Sequence, residues 1–429
     1  MKNQNHFGFR ISNLGFAIAA CLLISSSAWA QSYAIRNARI ITGTGATIPN
    51  GHILVQDGRI AAVGANINIP RGAMVIDGKG LTAYPGMIDP HTSIGLTEIG
   101  SVGATQDTNE IGDFNPHIKA SAAVNALSEH VGITRENGVT TVMAAPGGGL
   151  FAGQSAVLNL NGWVTKDMLM KDSAGMIINF PREPRLSPAT PERQRREAED
   201  QWKERIELLK TKLREGQAFA KLLDAKVDTV PNLALQALVP LVKGTIPAIF
   251  TVNSEGEIKA AIEIAEEFKL KAILSGCSEA WKVADFLKAK NVPVLLAGIL
   301  DVPDEKDPYD VNFATAAILA KAGVKFAFTS GGASSVRDLP WHAGTAAAFG
   351  LPRDEAMKAV TINAAEILNI ADQVGSISEG KVANIVLSDG DPLELMTRVK
   401  HLFVDGKPVD LKNKHTDLYE TFSKRPVKK

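Results

Sequence analysis

Apolar and polar positions follow two different rhythms along this chain. From 33 to about 89 they alternate, as in "YAIRNARIIT", "GHILVQDGRIAAVG" and "AMVIDGKGLTAY". Alternation puts every second side chain on one face, so these stretches predict half-buried β-strands. Asp57-Gly58 and Asp77-Gly78 fit two-residue hairpin turns, since both turn positions need positive φ. The same rhythm returns after Lys381 in "KVANIVLSD" and "VKHLFVDGKPVD", with Asp405-Gly406 as a third turn. Strands at both ends around a different middle predict one composite β-sandwich, made of 31–85 and 381–429.

The middle, 86–380, has another rhythm. "GVTTVMAAP" (138–146), "SAVLNLNG" (155–162), "GMIINF" (175–180), "IPAIFTVN" (246–253), "KAILSGC" (271–277), "VPVLLAGI" (292–299) and "VKFAFTSG" (324–331) are continuous apolar runs. Strands buried on both faces read this way, as they do in parallel sheets. Amphipathic helices lie between several of them, such as 254–270 and 278–291. With the strand leading into His91 they predict an α/β fold, a (β/α)8 TIM barrel whose chemistry sits at the C-terminal strand ends. The charged stretch 190–216 predicts a solvated helix, with Thr190 as N-cap and Pro191 at the first helical position. Its apolar side is Trp202, Ile206, Leu209 and Leu213.

Composition narrows the setting. The 429 residues carry 46 basic and 46 acidic side chains, so nothing favours nucleic acid or an anionic membrane as partner. Lys2 and Arg10 supply positive charge ahead of "ISNLGFAIAACLLI", an apolar core too short to span a bilayer, and Ala28-Trp29-Ala30 follows as a small-x-small cleavage site. Residues 1–30 therefore read as a signal peptide, cut after Ala30, and the mature chain as periplasmic or secreted. "IAAC" ending at Cys21 offers a lipoprotein-type cut, but the apolar run continues through Ile24 and favours Ala30. Only Cys277 then remains, so no internal disulfide stabilises the mature chain.

The candidate chemistry begins at "YPGMIDPHTSIGL" (84–96). This stretch, with "NARIITGTGATIPNGHILVQDG" before it and "AVTINAAEILNIADQVGSISEGKVANIVLSDGDPLE" (359–394) near the other end, resembles the amidohydrolase superfamily. "TNEIGDFNPHIKASAAVN" (108–125) and "GVTTVMAAPGGGLFAGQSAVLNLNG" (138–162) fit its imidazolonepropionase-like, exported dipeptidase-like subgroup. Asn384 departs from the usual aspartate of the C-terminal signature.

The resemblance implies a metal site. Such enzymes place a His-x-His pair on the first barrel strand, a frequently carboxylated lysine on the fourth, histidines on the fifth and sixth, and an aspartate on the eighth. These hold one or two zinc-like ions that lower the pKa of bound water. In this chain His91 matches the first histidine and Ser93 stands where the second belongs. Ile177 falls at the lysine position, Thr251 and Asn253 at the fifth-strand positions, and Gly276 at the sixth, beside Cys277. Gly331, next to Ser330, replaces the aspartate. These nine residues are expected around one pocket, with His91 as the surviving ligand candidate.

Other residues offer little to rebuild such a site. His52, His401 and His415 lie in the sandwich or tail, His117 and His130 near the first helix, and His342 beyond the eighth strand. Of these, His117 and His342 are the candidates to reach the barrel mouth. Asp107, Glu110 and Asp113 read as solvated loop carboxylates. Cys277 at a strand end suggests a nucleophile, yet no base adjoins it, and a packed thiol is the better reading. "PGGGLFAGQS" (146–155) lacks the Gly-Lys-Ser/Thr ending of a phosphate loop and reads as a pocket loop needing positive φ.

Two functions follow. The first is an exported, non-catalytic small-molecule binder without cofactor, forming a homo-oligomer or a hetero-oligomer with an active relative. The second is a hydrolase of carbon–nitrogen bonds in dipeptides or cyclic amides, with an altered site and a zinc-like divalent metal.

Overall fold

The computed structural model describes residues 31–426. The leader expected over 1–30 lies outside the described residues. Among the described residues no helix is long and apolar enough to cross a membrane.

Both chain ends share one sheet. Strands β1 (Tyr33–Ile41), β2 (Thr47–Gln56), β3 (Arg59–Gly64), β4 (Met74–Asp77) and β5 (Thr82–Pro85) come from the start. After eight barrel strands, the chain returns with β14 (Ile385–Ser388), β15 (Val399–Val404) and β16 (Lys407–Pro408). The order is β16-β15-β14-β5-β1-β2-β3, with β4 also on β1. Tyr33, Ile35, Ile40, Ile53, Val55, Ile385, Leu387 and Phe403 form its apolar core. Asp57-Gly58 and Asp405-Gly406 both have positive φ and close the expected hairpins. Asp77-Gly78 does not. β4 and β5 each lie parallel to β1, so they cannot pair as a hairpin. The Asp77 carboxylate instead accepts from Asn37 and from the Lys79 N–H within a wider turn.

The eight-stranded barrel sheet runs in chain order: β6 (Met87–Thr92), β7 (Val139–Ala144), β8 (Phe151–Asn159), β9 (Leu169–Asn179), β10 (Ala248–Val252), β11 (Ala272–Gly276), β12 (Val294–Leu296) and β13 (Phe326–Phe328). One strand departs from expectation. β8 is antiparallel to both β7 and β9. The link 145–150 is too short for a helical crossover, so the chain must reverse as a hairpin. Gly148 and Gly149, at φ +72° and +60°, make that reversal. The remaining steps are parallel.

The barrel is packed, not hollow. Ile88, Met143, Val157, Ile177, Ile249, Ile273, Leu295 and Ala327, one from each strand, form a single apolar cluster with the helix Ile362–Ile367. The opposite strand faces, including Phe250, Val252, Leu274, Leu296 and Phe328, bury against the surrounding helices. The charged helix spans Glu192–Asp224, longer than expected, with Pro191 rather than Thr190 in the cap position. It buries Leu209 and Leu213 as the pattern requires, and the Trp202 indole donates to the Pro181 carbonyl.

Asn384 joins the two units. Its amide donates to Thr141 Oγ1 and Asn159 Oδ1 on the barrel, and its carbonyl accepts from the Asp405 N–H of the terminal sheet. A carboxylate has no hydrogens for the first two bonds, which accounts for the amide at this position.

Candidate functional site at the barrel mouth

His91 lies in β6, one residue before its end, but Ser93 does not continue the strand. β6 stops at Thr92, and the Ser93 carbonyl accepts from Leu96 and Thr97 in a turn. The alternation that would aim residue 93 beside residue 91 has already ended. The His91 imidazole crosses instead to β11, where Nδ1 and the Ser275 hydroxyl share a 2.8 Å hydrogen bond. Burial lowers its pKa to about 4, so the ring is neutral at neutral pH.

The group that organises this end was not singled out from sequence. Asp89 is fully buried. Its carboxylate accepts from Thr329 Oγ1 at 2.8 Å, from the Ser330 N–H and hydroxyl, and from the His91 N–H. Burial raises its pKa to about 6 against the pull of those donors. The Gly331 N–H donates to the His91 carbonyl, which is also the alternative acceptor for the single Thr329 hydroxyl hydrogen. Asp89 thus closes the barrel by clasping β6 to the end of β13. The signal was present in "MIDPH", as a carboxylate inside an apolar strand.

The remaining candidates divide. Thr251 and Ser275 are register partners on β10 and β11, and Thr251 Oγ1 is buried with no hydrogen-bond partner. On β9 the partner of Thr251 is Asn179; Ile177 lies opposite Ile249, in the apolar cluster below. Asn179 donates to the carbonyls of Gly148 and Gly149, which ties the glycine loop over this end.

Gly276 has φ +101°, and a Cβ there would stand 2.7 Å from both Asn253 Oδ1 and the Val252 carbonyl. No L-residue fits without moving the backbone. Cys277, at φ +59°, is fully buried with Val252, Ile258 and Ala280, and burial pushes its thiol pKa up. It is a packed thiol rather than a thiolate nucleophile. Gly331, at φ +74°, faces open space.

His117 is exposed, and His130 Nε2 bonds to the Glu98 carbonyl. His342 is buried, with Nδ1 unpartnered. Asp107 and Glu110 are exposed, and Asp113 pairs with Arg205 at 3.0 Å.

A cleft of about 500 Å³ opens above β10 to β12, lined by Asn253, Ser278, Glu279, Gly298, Asp301 and Asp304 among others. Glu279, Asp304 and Asp307 bring ligand oxygens within 4.8 Å of one another, the one such group among the described residues. Arg185 reaches Glu279 and Asp304 at 2.9 and 2.5 Å, and Lys282 reaches Glu279 and Asp307 at 3.1 and 3.4 Å. Two cations already balance most of that charge.

A family model described as "Amidohydrolase family" matches residues 82–410. The chain belongs to that family. An amidohydrolase from Thermotoga maritima MSB8 has a similar structure, with a TM-score of 0.77, 26% identity, and 88% of this chain and 99% of that one covered. Curated relatives match in smaller parts. A D-hydantoinase of Geobacillus stearothermophilus is 42% identical over 78 residues, 18% of this chain and 16% of its own. An imidazolonepropionase of Alkaliphilus metalliredigens (strain QYMF) is 44% identical over 52 residues, 11% of this chain and 12% of its own.

Amidohydrolases are usually metal-dependent, and the residues at this mouth do not fit a transition-metal site. Of the expected ligand positions only His91 carries an imidazole, with Nδ1 on Ser275 and Nε2 left free, and the sixth-strand position is a left-handed glycine. Three or more protein ligands are the norm.

Proposed function

We propose that this amidohydrolase is an exported, non-catalytic member that binds a small polar molecule at the barrel mouth, alone or beside an active relative. The observation that carries the reading is Gly276. Its φ of +101° and the 2.7 Å approach of Asn253 and Val252 leave no place for a ligating side chain there. Loss at that position is built into the backbone, so one substitution does not reverse it. His91, Ser275 and Thr251 remain as a partly buried polar set of two hydroxyls and a neutral imidazole. Such groups suit an uncharged hydrogen-bonding ligand. Export rests on the leader sequence, and amino-terminal sequencing of protein from an exported fraction should begin at Gln31.

A second reading is supported by the Ser275–His91 pair itself. A hydroxyl 2.8 Å from a neutral imidazole is the arrangement of a nucleophile and its base, and would suit hydrolysis of a carbon–nitrogen bond without metal. One experiment separates the two. Protein purified from zinc- and manganese-supplemented medium is assayed for metal content and for hydrolysis of dipeptides and cyclic amides, beside Ser275→Ala. Binding without turnover supports the first reading. Chelator-insensitive turnover lost in Ser275→Ala establishes the second, and stoichiometric metal with chelator-sensitive turnover overturns both.

A further inference from the structure

A second cavity lies away from the barrel mouth. It measures about 730 Å³ and opens between the helix Glu129–Glu136 and the segment 405–414. Arg135 is on its wall, and its guanidinium is poorly satisfied. Nη1 donates to the Leu160 carbonyl at 3.2 Å, while Nε is buried with no acceptor. Among the described residues no carboxylate comes within ion-pairing distance of Arg135; Asp410 acts on it only from farther away.

A half-buried guanidinium with one bond from five donors is an unusual thing to keep. Its Nε is cut off from any acceptor in the chain, and an anion in the cavity would complete the guanidinium. Lys407, Lys412 and Lys414 line the same cavity, and of these Lys412 alone has an ion-pair partner among the described residues, Asp417 at 3.0 Å. At the rim stand two large apolar side chains left in solvent, Trp163 at 82% and Leu127 at 67% exposure. The walls also carry Glu129, Asp167 and Asp405, and the last two are already engaged. Asp167 accepts from the N–H groups of Trp163 and Val164, and Asp405 from the Asn159 amide. Those carboxylates would repel a long polyanion, whereas a single anionic group can sit on Arg135 clear of them.

We infer that this cleft binds a small organic anion, its carboxylate or phosphate oxygens on Arg135 and its body against Trp163 and Leu127. Arginine matches the paired oxygens of either group in a fork that lysine cannot reproduce. The volume suits a metabolite-sized molecule. This site is independent of the barrel-mouth reading, and either can fail without the other.

The test uses phosphate and acetate as probes, each titrated into the full chain against chloride at constant ionic strength. Trp163 fluorescence is the readout, with Trp163→Phe as its control. Saturable binding is expected, weakened at least about tenfold in Arg135→Lys and lost in Arg135→Met. Circular dichroism confirms that each variant folds. If Arg135→Met does not fold, the double variant Lys407→Ala/Lys414→Ala at exposed positions serves instead, with about threefold weakening expected. A response to one probe alone identifies the anionic group and supports the site. A non-saturating response, or identical titrations of wild type and variants, overturns it.

Discussion

Ser275 Oγ and His91 Nδ1 lie 2.8 Å apart across the barrel, joining the sixth strand to the first. The contact occupies Nδ1 of the imidazole and leaves Nε2 free, while burial of the ring lowers its pKa to about 4. Asp89, two residues earlier, is shifted the other way, to about 6.

These opposite shifts make a pH prediction. His91 has a folded pKa below its unfolded value, so its contribution is present above about pH 6.5 and lost as pH falls toward 4. Asp89 has a folded pKa above its unfolded value, so its contribution is present below about 3.8 and lost as pH rises through 6. Each shift corresponds to on the order of 3 kcal/mol, and the slopes oppose one another between about pH 4 and 6. Relative to wild type, Asp89→Asn should lose stability on acidification across that window, and His91→Asn should gain it. Urea unfolding at pH 4.5 and 6.5 decides this, and parallel profiles for all three proteins would sink the assignment.

Asp89→Ala should be among the more damaging single changes in the chain. It removes the acceptor shared by Thr329, Ser330 and the His91 N–H, and so releases the seam between β6 and β13. Orphaning several buried donors should cost about 3 kcal/mol or more. The exposed Arg193–Glu197 pair is the comparison, with about 0.5 kcal/mol expected on removing Glu197. Equal losses from both in denaturant unfolding would refute the clasp.

Gly276→His should fail to restore metal binding. A side chain at φ +101°, in contact with Asn253 and Val252, should destabilise the fold by about 2 kcal/mol or more. The measurements are thermal unfolding and zinc content after dialysis. A stable variant carrying stoichiometric zinc would falsify the view that the backbone has closed this position.

Cys277 should be silent toward thiol reagents until the chain unfolds. It is fully buried and its thiol is held above the usual pKa by burial. Iodoacetamide labelling followed by mass spectrometry should show modification of Cys277 in denaturant and almost none in the native protein. Rapid native labelling would restore the nucleophile reading.

Much of the fold was legible because burial imposes periodicity. Alternating runs became the terminal sheet, and continuous apolar runs became the eight barrel strands. The direction of β8 was harder to see, since an apolar run looks alike in either sense; the shortness of the link 145–150 was the available clue. Ile177 shows the same limit at the site. Residue spacing could not say which of Ile177 and Asn179 stands level with Thr251, because that depends on the stagger between β9 and β10.

The sequence by itself determined the family, the barrel and the poverty of metal ligands, because these are matters of which residues are present. Tertiary structure decided what the survivors do. Only folding brings Ser275 onto His91 and Thr329 and Ser330 onto Asp89. Only backbone geometry shows that Gly276 is required by its own conformation. Hydrogen bonds and close contacts between residues far apart in the chain depend on strand register and barrel closure, which no local pattern encodes.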